Sequence, residues 1–379
     1  MTGPAAPVLR ERIERLGSVR FDEFVDLALY HPEGGFYVAG GGAGRSRGDF
    51  VTSPEVGPLF GAVVANRLDA EWDRLGRPDP FVVVEAAAGR GALAIAVLAA
   101  APRCAAALRY LLVERAATLR ERQAEHLALV RPFEVLGPVA SEDDPAPPPT
   151  AGTGPLVCSL EDLPSEPVAG VVLANELLDN LPFRLVERTP AGWSEVRIGL
   201  DGHTFVELPV PADPALAALA DRWAPAAATG SRIPLQEAAV EWLRRARTVL
   251  TAGSVVVLDY ADTTPSLAAR PPEEWLRTYA RHAAAGSWLE APGSCDITCE
   301  VATDQLGAAA EPDLQVAQAD WLRNFGIDAL VDEGRRVWAE GAAAGGLAAL
   351  AGRSRGVEAD ALLDPTGLGR FTVLEWQVG

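Results

Sequence analysis

FVVVEAAAGRGAL, residues 81–93, decides how the rest of the chain reads. Four apolar residues, Phe81 to Val84, run into the acid Glu85, then three alanines, then Gly89-Arg90-Gly91 and an apolar helical pattern from Ala92 to Ala100. A short valine-rich run predicts a buried strand. The glycines predict a tight turn, and the helix begins there. Such a strand-turn-helix presents backbone N–H groups and the positive end of a helix to a ligand. A nucleotide-type cofactor fits that geometry; an ordinary βα turn, whose glycines do nothing but reverse the chain, fits it too.

Moving outward, LRYLLVE (108–114) predicts a second apolar strand ending in an acid, Glu114, which lies 23 residues after Gly91. In nucleoside-binding α/β folds an acid about 20 residues beyond the glycine turn accepts hydrogen bonds from ribose hydroxyls. The spacing therefore favours the cofactor reading. Further strands are predicted at 156–159, 170–174, 254–259 and 371–378. Residues 184–209 alternate apolar and polar positions between glycines, which predicts an antiparallel meander. Helices are predicted over 8–16, 21–30, 58–75, 115–129, 213–223, 234–250, 271–285, 320–325 and 342–351, with a short strand at 133–136 and a polar loop at 293–298. Alternating strands and helices give an α/β fold, expected as a single elaborated domain over 1–379. Within it, 1–78 is a helical extension with a lid loop, 79–260 a cofactor-binding core with an insertion at about 184–250, and 261–379 a helical insertion with C-terminal strands.

Two polar segments stand out. In GDFVTSPEV (48–56), Thr52 or Ser53 is placed to cap a helix with Pro54 in its first turn. Capping does not explain why Asp49, Thr52, Ser53 and Glu55 crowd beside the glycine-rich stretch 40–44, whose position suits an active-site lid. The second segment is Asn175-Glu176-Leu177-Leu178-Asp179, which follows the apolar run 170–174. Polar groups at the carboxyl end of a parallel strand are where open α/β sheets bind ligands. Asn175, Glu176 and Asp179 are the catalytic candidates, and Asp49, Glu55 and His282 the candidates for binding substrate.

Composition excludes several classes. The formal net charge is −19, and the basic side chains are all arginine, so a nucleic-acid partner is not expected. A basic protein suits the field better. No apolar run reaches membrane-spanning length, and no secretion or transit signal is evident at the N-terminus, so a cytoplasmic, bacterial protein is expected. Cys104, Cys158, Cys295 and Cys299 are too few for a disulfide scaffold, and no histidine near the last two completes a metal site. The oligomeric state is left open, a homodimer included.

LALYHPEGGFY (27–37), GDFVTSPEVGPLFG (48–61), VEAAAGRGAL (84–93), LLVERAATLRERQ (111–123) and ANELLDNLPF (174–183) resemble the MidA-like proteins, as do LDY (258–260), GSCDIT (293–298) and DPTGLGRFTVL (364–374). A mitochondrial relative in that family assists respiratory complex I assembly by methylating an arginine. The resemblance implies a class I methyltransferase fold, with a seven-stranded, mostly parallel sheet whose last strand is antiparallel. It implies S-adenosylmethionine as cofactor and a protein arginine as acceptor. It places Glu85, Ala87, Gly89 and Gly91 beside the methionine part of the cofactor and Glu114 on the ribose, with Thr52 and Ser53 also toward the cofactor and 175–182 bordering the transfer site. The chain departs from the family's usual residues at Ala87-Ala88, Asn180 and Ala261. Two other readings stay open: a methyltransferase of small molecules on the same scaffold, and a methyltransferase-like assembly factor, for which Ala87 is the main support.

Overall fold

The computed structural model describes residues 3–39, 41, 52–137, 151–280, 283–284, 286–341 and 346–379. The chain divides into two compact units. The physical reason is that the antiparallel insertion and the N-terminal helices share an apolar core separate from that of the parallel sheet.

The first unit comprises Val51–Asn175, Ala246–Leu258 and Pro312–Gly379. Its strands are β1 (Phe81–Ala86), β2 (Leu108–Val113), β3 (Leu156–Leu160), β4 (Val168–Asn175), β5 (Leu250–Asp259), β6 (Leu314–Ala317) and β7 (Thr372–Val378). They form one seven-stranded sheet in the order β3-β2-β1-β4-β5-β7-β6. The first five are parallel, and β7 runs antiparallel to β6. All positions of β1 and β2 are buried, as strands covered on both faces must be. The strand order reverses between β1 and β4, the place at which such sheets bind ligands.

Helix Pro58–Arg74 buries Leu59, Phe60, Val63, Val64 and Leu68 in the sheet unit's core. Fully burying such side chains stabilises by about 1.5–3 kcal/mol each. The helix also carries a buried cation. Arg67 reaches both carboxylate oxygens of Glu375 on β7 (3.1 and 2.9 Å), Glu71 (3.0 Å) and Ser254 Oγ on β5 (2.9 Å), and Trp321 Nε1 donates to Glu375 as well (2.6 Å). Burial lowers the basicity of Arg67, but these carboxylates more than compensate and hold its pKa above the ordinary value. At the N-terminus of the same helix, Glu358 accepts from Leu59 N–H at 2.8 Å, an acid stabilising the positive helix end.

The second unit comprises Met1–Phe50, Glu176–Arg245 and Asp259–Glu311. Helices Ala6–Leu16 and Phe21–Tyr30 supply Leu9, Ile13, Phe21 and Phe24 to a core shared with Phe183, Leu185, Ile198 and Phe205. The expected meander is present as Arg184–Thr189, Gly192–Asp201 and Thr204–Pro211, joined by Arg232–Leu235 and Val19–Arg20 in a five-stranded sheet. Leu276–Ala280 pairs antiparallel with Asp296–Cys299.

Local expectations failed where short runs carry no distinguishing period. Residues 133–136 are helical, not extended, because Pro132 opens the turn and Glu134 forms a capping box with Arg131. The helix expected over 271–285 is a single turn, Pro272–Glu274, followed by strand Leu276–Ala280; Leu276 and Thr278 are buried at a spacing of two. The polar loop expected at 293–298 is a strand from Asp296 onward. The helix expected from Arg115 to Leu129 is confined to Ala117–Gln123, and that from Pro234 begins at Glu237 because Arg232–Leu235 pairs with Arg184–Thr189. Strand β6 and helix Ile327–Gly341 were not anticipated. Of the helix expected at 342–351, residues 342–345 lie outside the described residues, and Leu347–Leu362 is helical.

Candidate cofactor cradle and acidic cluster

β1 ends at Ala86, and the chain then turns through Ala87 (φ 55°), Gly89 (φ 53°) and Gly91 (φ 83°), all left-handed. Glycine adopts that region freely; an alanine there carries about 1–2 kcal/mol of strain. Ala87 is exposed, whereas Ala88 is 5% exposed and packed in the core. A side chain at Gly91 would meet Leu127 Cδ1 at 2.8 Å, but one at Gly89 would meet nothing within 4 Å, so the space over Gly89 is open. Helix Ala92–Ala99 starts at Gly91, which has no side chain to cap it.

Three side chains hold the turn. Glu114 accepts from Gly89 N–H (3.0 Å) and from Ala116 N–H (2.8 Å). Gln123 Nε2 donates to the Gly89 carbonyl at 2.9 Å, so that residue is fixed on both sides. Glu85 accepts from the Tyr110 hydroxyl at 2.7 Å and from the Ala94 N–H in the first turn of the helix. Burial pushes the Glu85 carboxyl up to about 7, with those two bonds opposing and the charge of Glu114 adding. Burial also raises Glu114, against its backbone N–H donors. Gln123 was not singled out from the sequence: it is fully buried at the end of a charged run, and no spacing rule marks it.

Thr52 stands at the N-cap of helix Ser53–Val56, but its side chain makes no capping bond, contrary to expectation. Ser53 is fully buried and its hydroxyl bonds Gln318 Oε1 at 3.2 Å. Glu55 is half-buried on the same turn. Asp49 and His282 lie outside the described residues, as does the lid stretch 40–44 apart from Gly41.

The second polar segment begins where β4 ends. Asn175 is half-buried, and Glu176 takes φ 54°, a strained conformation for a side chain of its kind. Leu178–Asn180 then form one 3₁₀ turn. Asp259 pins that turn, since its Oδ2 accepts from Leu178 N–H (2.9 Å) and Asp179 N–H (3.3 Å) and its Oδ1 from Tyr260 N–H (2.9 Å). Asp179 Oδ2 accepts from the Thr298 hydroxyl at 2.6 Å, while its Oδ1 is buried with no partner among the described residues. Asn180 Nδ2 donates to Asp296 Oδ1 (3.0 Å) and to the Ile297 carbonyl (3.2 Å). The Tyr37 hydroxyl lies 2.9 Å from Asp296 Oδ1 and 3.0 Å from Asn180 Oδ1, so its one proton serves two acceptors.

Asp179 and Asp296 are thus brought together from distant parts of the chain. Burial raises both, Asp179 to about 6 and Asp296 to about 7, and the charge of Asp179 adds to the effect on Asp296. Burial, with Asp179 and Glu176 nearby, pushes Asp259 well up too. Sequence reasoning named Asp179 but not Asp259, Asp296, Thr298 or Tyr37 as site residues; LDY and GSCDIT, already conspicuous as motifs, contain the signal for three of them.

Residues 63–320 match the family described as S-adenosyl-L-methionine-dependent methyltransferases. The chain is 28% identical over 345 residues to the human mitochondrial protein arginine methyltransferase NDUFAF7, covering 86% of this chain and 74% of that protein. The Drosophila melanogaster homolog is 33% identical over 202 residues, covering 52% of this chain and 45% of that one. Among solved structures, a COG1565 superfamily member from Burkholderia thailandensis bound to S-adenosyl-homocysteine superposes with a TM-score of 0.80 at 28% identity, covering 98% of this chain and 91% of that one. The sheet order, the glycine turn and these matches lead to one conclusion: the chain belongs to the S-adenosyl-L-methionine-dependent methyltransferase family, and S-adenosyl-L-methionine is its cofactor.

Proposed function

We propose that this methyltransferase acts on a protein arginine, that the turn Ala87–Gly91 with Glu85 and Glu114 holds the cofactor, and that Glu176 and Asp179, bordered by Asn175, hold the acceptor. The cradle fits the group. The space over Gly89 is open, and Glu114 accepts from the backbone N–H groups of Gly89, Ala116 and Arg115, leaving about one of its roughly four lone-pair sites for a ribose hydroxyl. Thr52 and Ser53 belong to the same compact unit. Ala87 already has the backbone conformation a glycine would take there, and its methyl is exposed, which favours a working cradle over a cofactor-free assembly factor.

When bound, the cofactor supplies an electrophilic methyl on a sulfonium sulfur. The protein's task is then to orient a poor nucleophile, because a guanidinium is protonated and delocalised. A carboxylate that bonds the guanidinium fixes which nitrogen is presented and localises the positive charge away from it. The observation that carries this reading is Asp179 Oδ1, a buried acceptor with no partner among the described residues. Leaving such an atom unmatched costs about 1–3 kcal/mol, which a bound cation would recover. A protein-arginine acceptor also agrees with the name of the human relative.

The test is incubation of the purified protein with bacterial lysate and methyl-labelled S-adenosylmethionine, followed by acid hydrolysis. Label in methylarginine is expected. Label confined to small molecules would overturn the protein-arginine reading in favour of a small-molecule methyltransferase. Asp179→Ala should abolish transfer while cofactor affinity stays unchanged; unaltered turnover would remove Asp179 from the site.

A further inference from the structure

Leu347, Leu350 and Val357 are 86%, 49% and 71% exposed, and all three stand on helix Leu347–Leu362 of the sheet unit. A single exposed leucine needs no explanation, but three large apolar side chains on one helix face do. With Ser354 and Ala361 they recur at intervals of three and four, positions 347, 350, 354, 357 and 361, which is the seven-residue repeat of a helix-pairing face. At about 100° per residue the five fall within an arc of roughly 80°. The other side of the helix is already occupied. Ala349, Gly352, Ala359 and Leu362 are buried, and Gly352 lies so close to helix Ile327–Gly341 that a Cβ on it would meet the Gly334 carbonyl oxygen at 2.6 Å. The helix is fixed on one side and presents its apolar stripe on the other.

Two exposed charges border that stripe on the same flank, seven residues apart. They are Arg353, which rests over the Trp338 ring 5.3 Å from its centroid, and Asp360. Their spacing makes the face complementary to itself. Laid antiparallel on a second copy, with the two-fold axis between Ser354 and Val357, the stripe sets Leu350 against the partner's Ala361 and Ser354 against the partner's Val357. The same register puts Arg353 against the partner's Asp360, and by symmetry Asp360 against the partner's Arg353. A parallel pair would instead bring Arg353 to the partner's Glu358; in this chain Glu358 is buried and already accepts from Leu59 N–H and the Ser354 hydroxyl. An anionic membrane is another surface that an apolar helix face could meet, and a net charge of −19 opposes it.

We propose that the exposed face of helix Leu347–Leu362 is a two-fold interface, which pairs antiparallel with the same helix of a second copy of this chain and is held in register by Arg353 and Asp360. One helix face from each copy makes an interface at the low end of specific complexes, about 1,200 Å² or less in total, so dissociation in the micromolar range is expected. The face shares no residue with the cofactor cradle or the acidic cluster, so this inference and the methyl-transfer reading stand or fall separately.

Sedimentation velocity of the full chain from about 1 to 200 µM tests it, and a rise from the monomer to the dimer coefficient is expected. Leu350→Glu should weaken dimerisation at least tenfold, with unchanged S-adenosyl-homocysteine affinity and urea midpoint verifying its fold; where that midpoint falls, the charge reversals carry the test alone. Arg353→Asp or Asp360→Arg sets like charges against each other twice and should weaken dimerisation several-fold. Mixing these two variants, or combining both substitutions in one chain, restores opposite charges and should return the dissociation constant close to that of the wild type. A monomer at every concentration, a dimer that Leu350→Glu leaves intact, or charge reversals that the mixture does not rescue would each overturn the interface. A chain that stays monomeric and binds phosphatidylserine vesicles would overturn it as well, by assigning the face to a membrane.

Discussion

Two neighbouring alanines should respond to the same substitution with opposite signs. Ala87 sits at φ 55° with its methyl exposed, so Ala87→Gly removes about 1–2 kcal/mol of left-handed strain and loses no packing. The added freedom of the unfolded chain offsets about 0.4–1 kcal/mol of that gain. A net stabilisation of about 0.5–1 kcal/mol follows from these two terms. Ala88 is 5% exposed within the sheet unit's core, and its N–H donates to Val113 at 3.0 Å. Ala88→Gly removes one buried methyl, about 0.8 kcal/mol, and adds the same unfolded-chain term, for a loss of about 1–2 kcal/mol. Urea unfolding separates the two, with the midpoint rising for the first and falling for the second at unchanged slope. Two transitions are admissible because the chain has two compact units; the one that S-adenosyl-homocysteine shifts reports the cradle. A loss in Ala87→Gly as large as that in Ala88→Gly would refute the strain argument.

Glu85 supplies a pH signature. Its folded-state pKa of about 7 lies above the ordinary carboxyl value, so the proton it holds stabilises the fold fully at low pH, and that contribution is lost as pH rises through about 7. The loss is about 3 kcal/mol, and Glu85→Gln should make the fall in the urea midpoint between pH 5 and 8 shallower by that amount, in the transition that S-adenosyl-homocysteine shifts; a slope unchanged from wild type contradicts the assignment. Arg67→Ala leaves Glu71 and Glu375 buried without their shared cation and should destabilise by about 3–5 kcal/mol, measured by denaturant titration; a loss under about 1 kcal/mol would mean the network is not coupled to folding. Gln123→Ala frees the Gly89 carbonyl, so S-adenosyl-homocysteine should bind about tenfold more weakly for a stability loss of about 1 kcal/mol; unchanged affinity would show that the peptide's orientation does not matter.

The proposed cradle was open to sequence reasoning because its parts are close in the chain. An apolar run, a glycine turn and an acid 23 residues on are local facts, and the segment 174–183 announces itself by packing polar groups behind an apolar strand. What pairs with those parts was not legible. Thr298 reaches Asp179 across 119 residues, Asp259 holds Leu178 across 81, and Arg67 meets Glu375 across 308. Contacts of that separation leave no periodicity. The division into two units was hidden for the same reason, since each is assembled from three separate segments. The short runs at 133–136 and 276–280 failed on a different ground: a few apolar residues satisfy either a helix or a strand until a proline, a cap or a pairing partner decides.

Strand β7 lies between β5 and β6, although it follows both in the chain. During synthesis, then, the edge of β5 has no neighbour on that side until residues 372–378 have emerged, and β6 has no partner in the sheet at all. An apolar strand with an open edge is an invitation to pair with another nascent chain. The arginine that would neutralise Glu375 waits on helix Pro58–Arg74 through the same interval, buried beside Glu71 and Ser254 with its bidentate partner still missing. Completion of the sheet and neutralisation of that charge are a single event, so ribosome-bound chains stalled before 372 should need chaperone protection that chains with residues 372–378 in place do not.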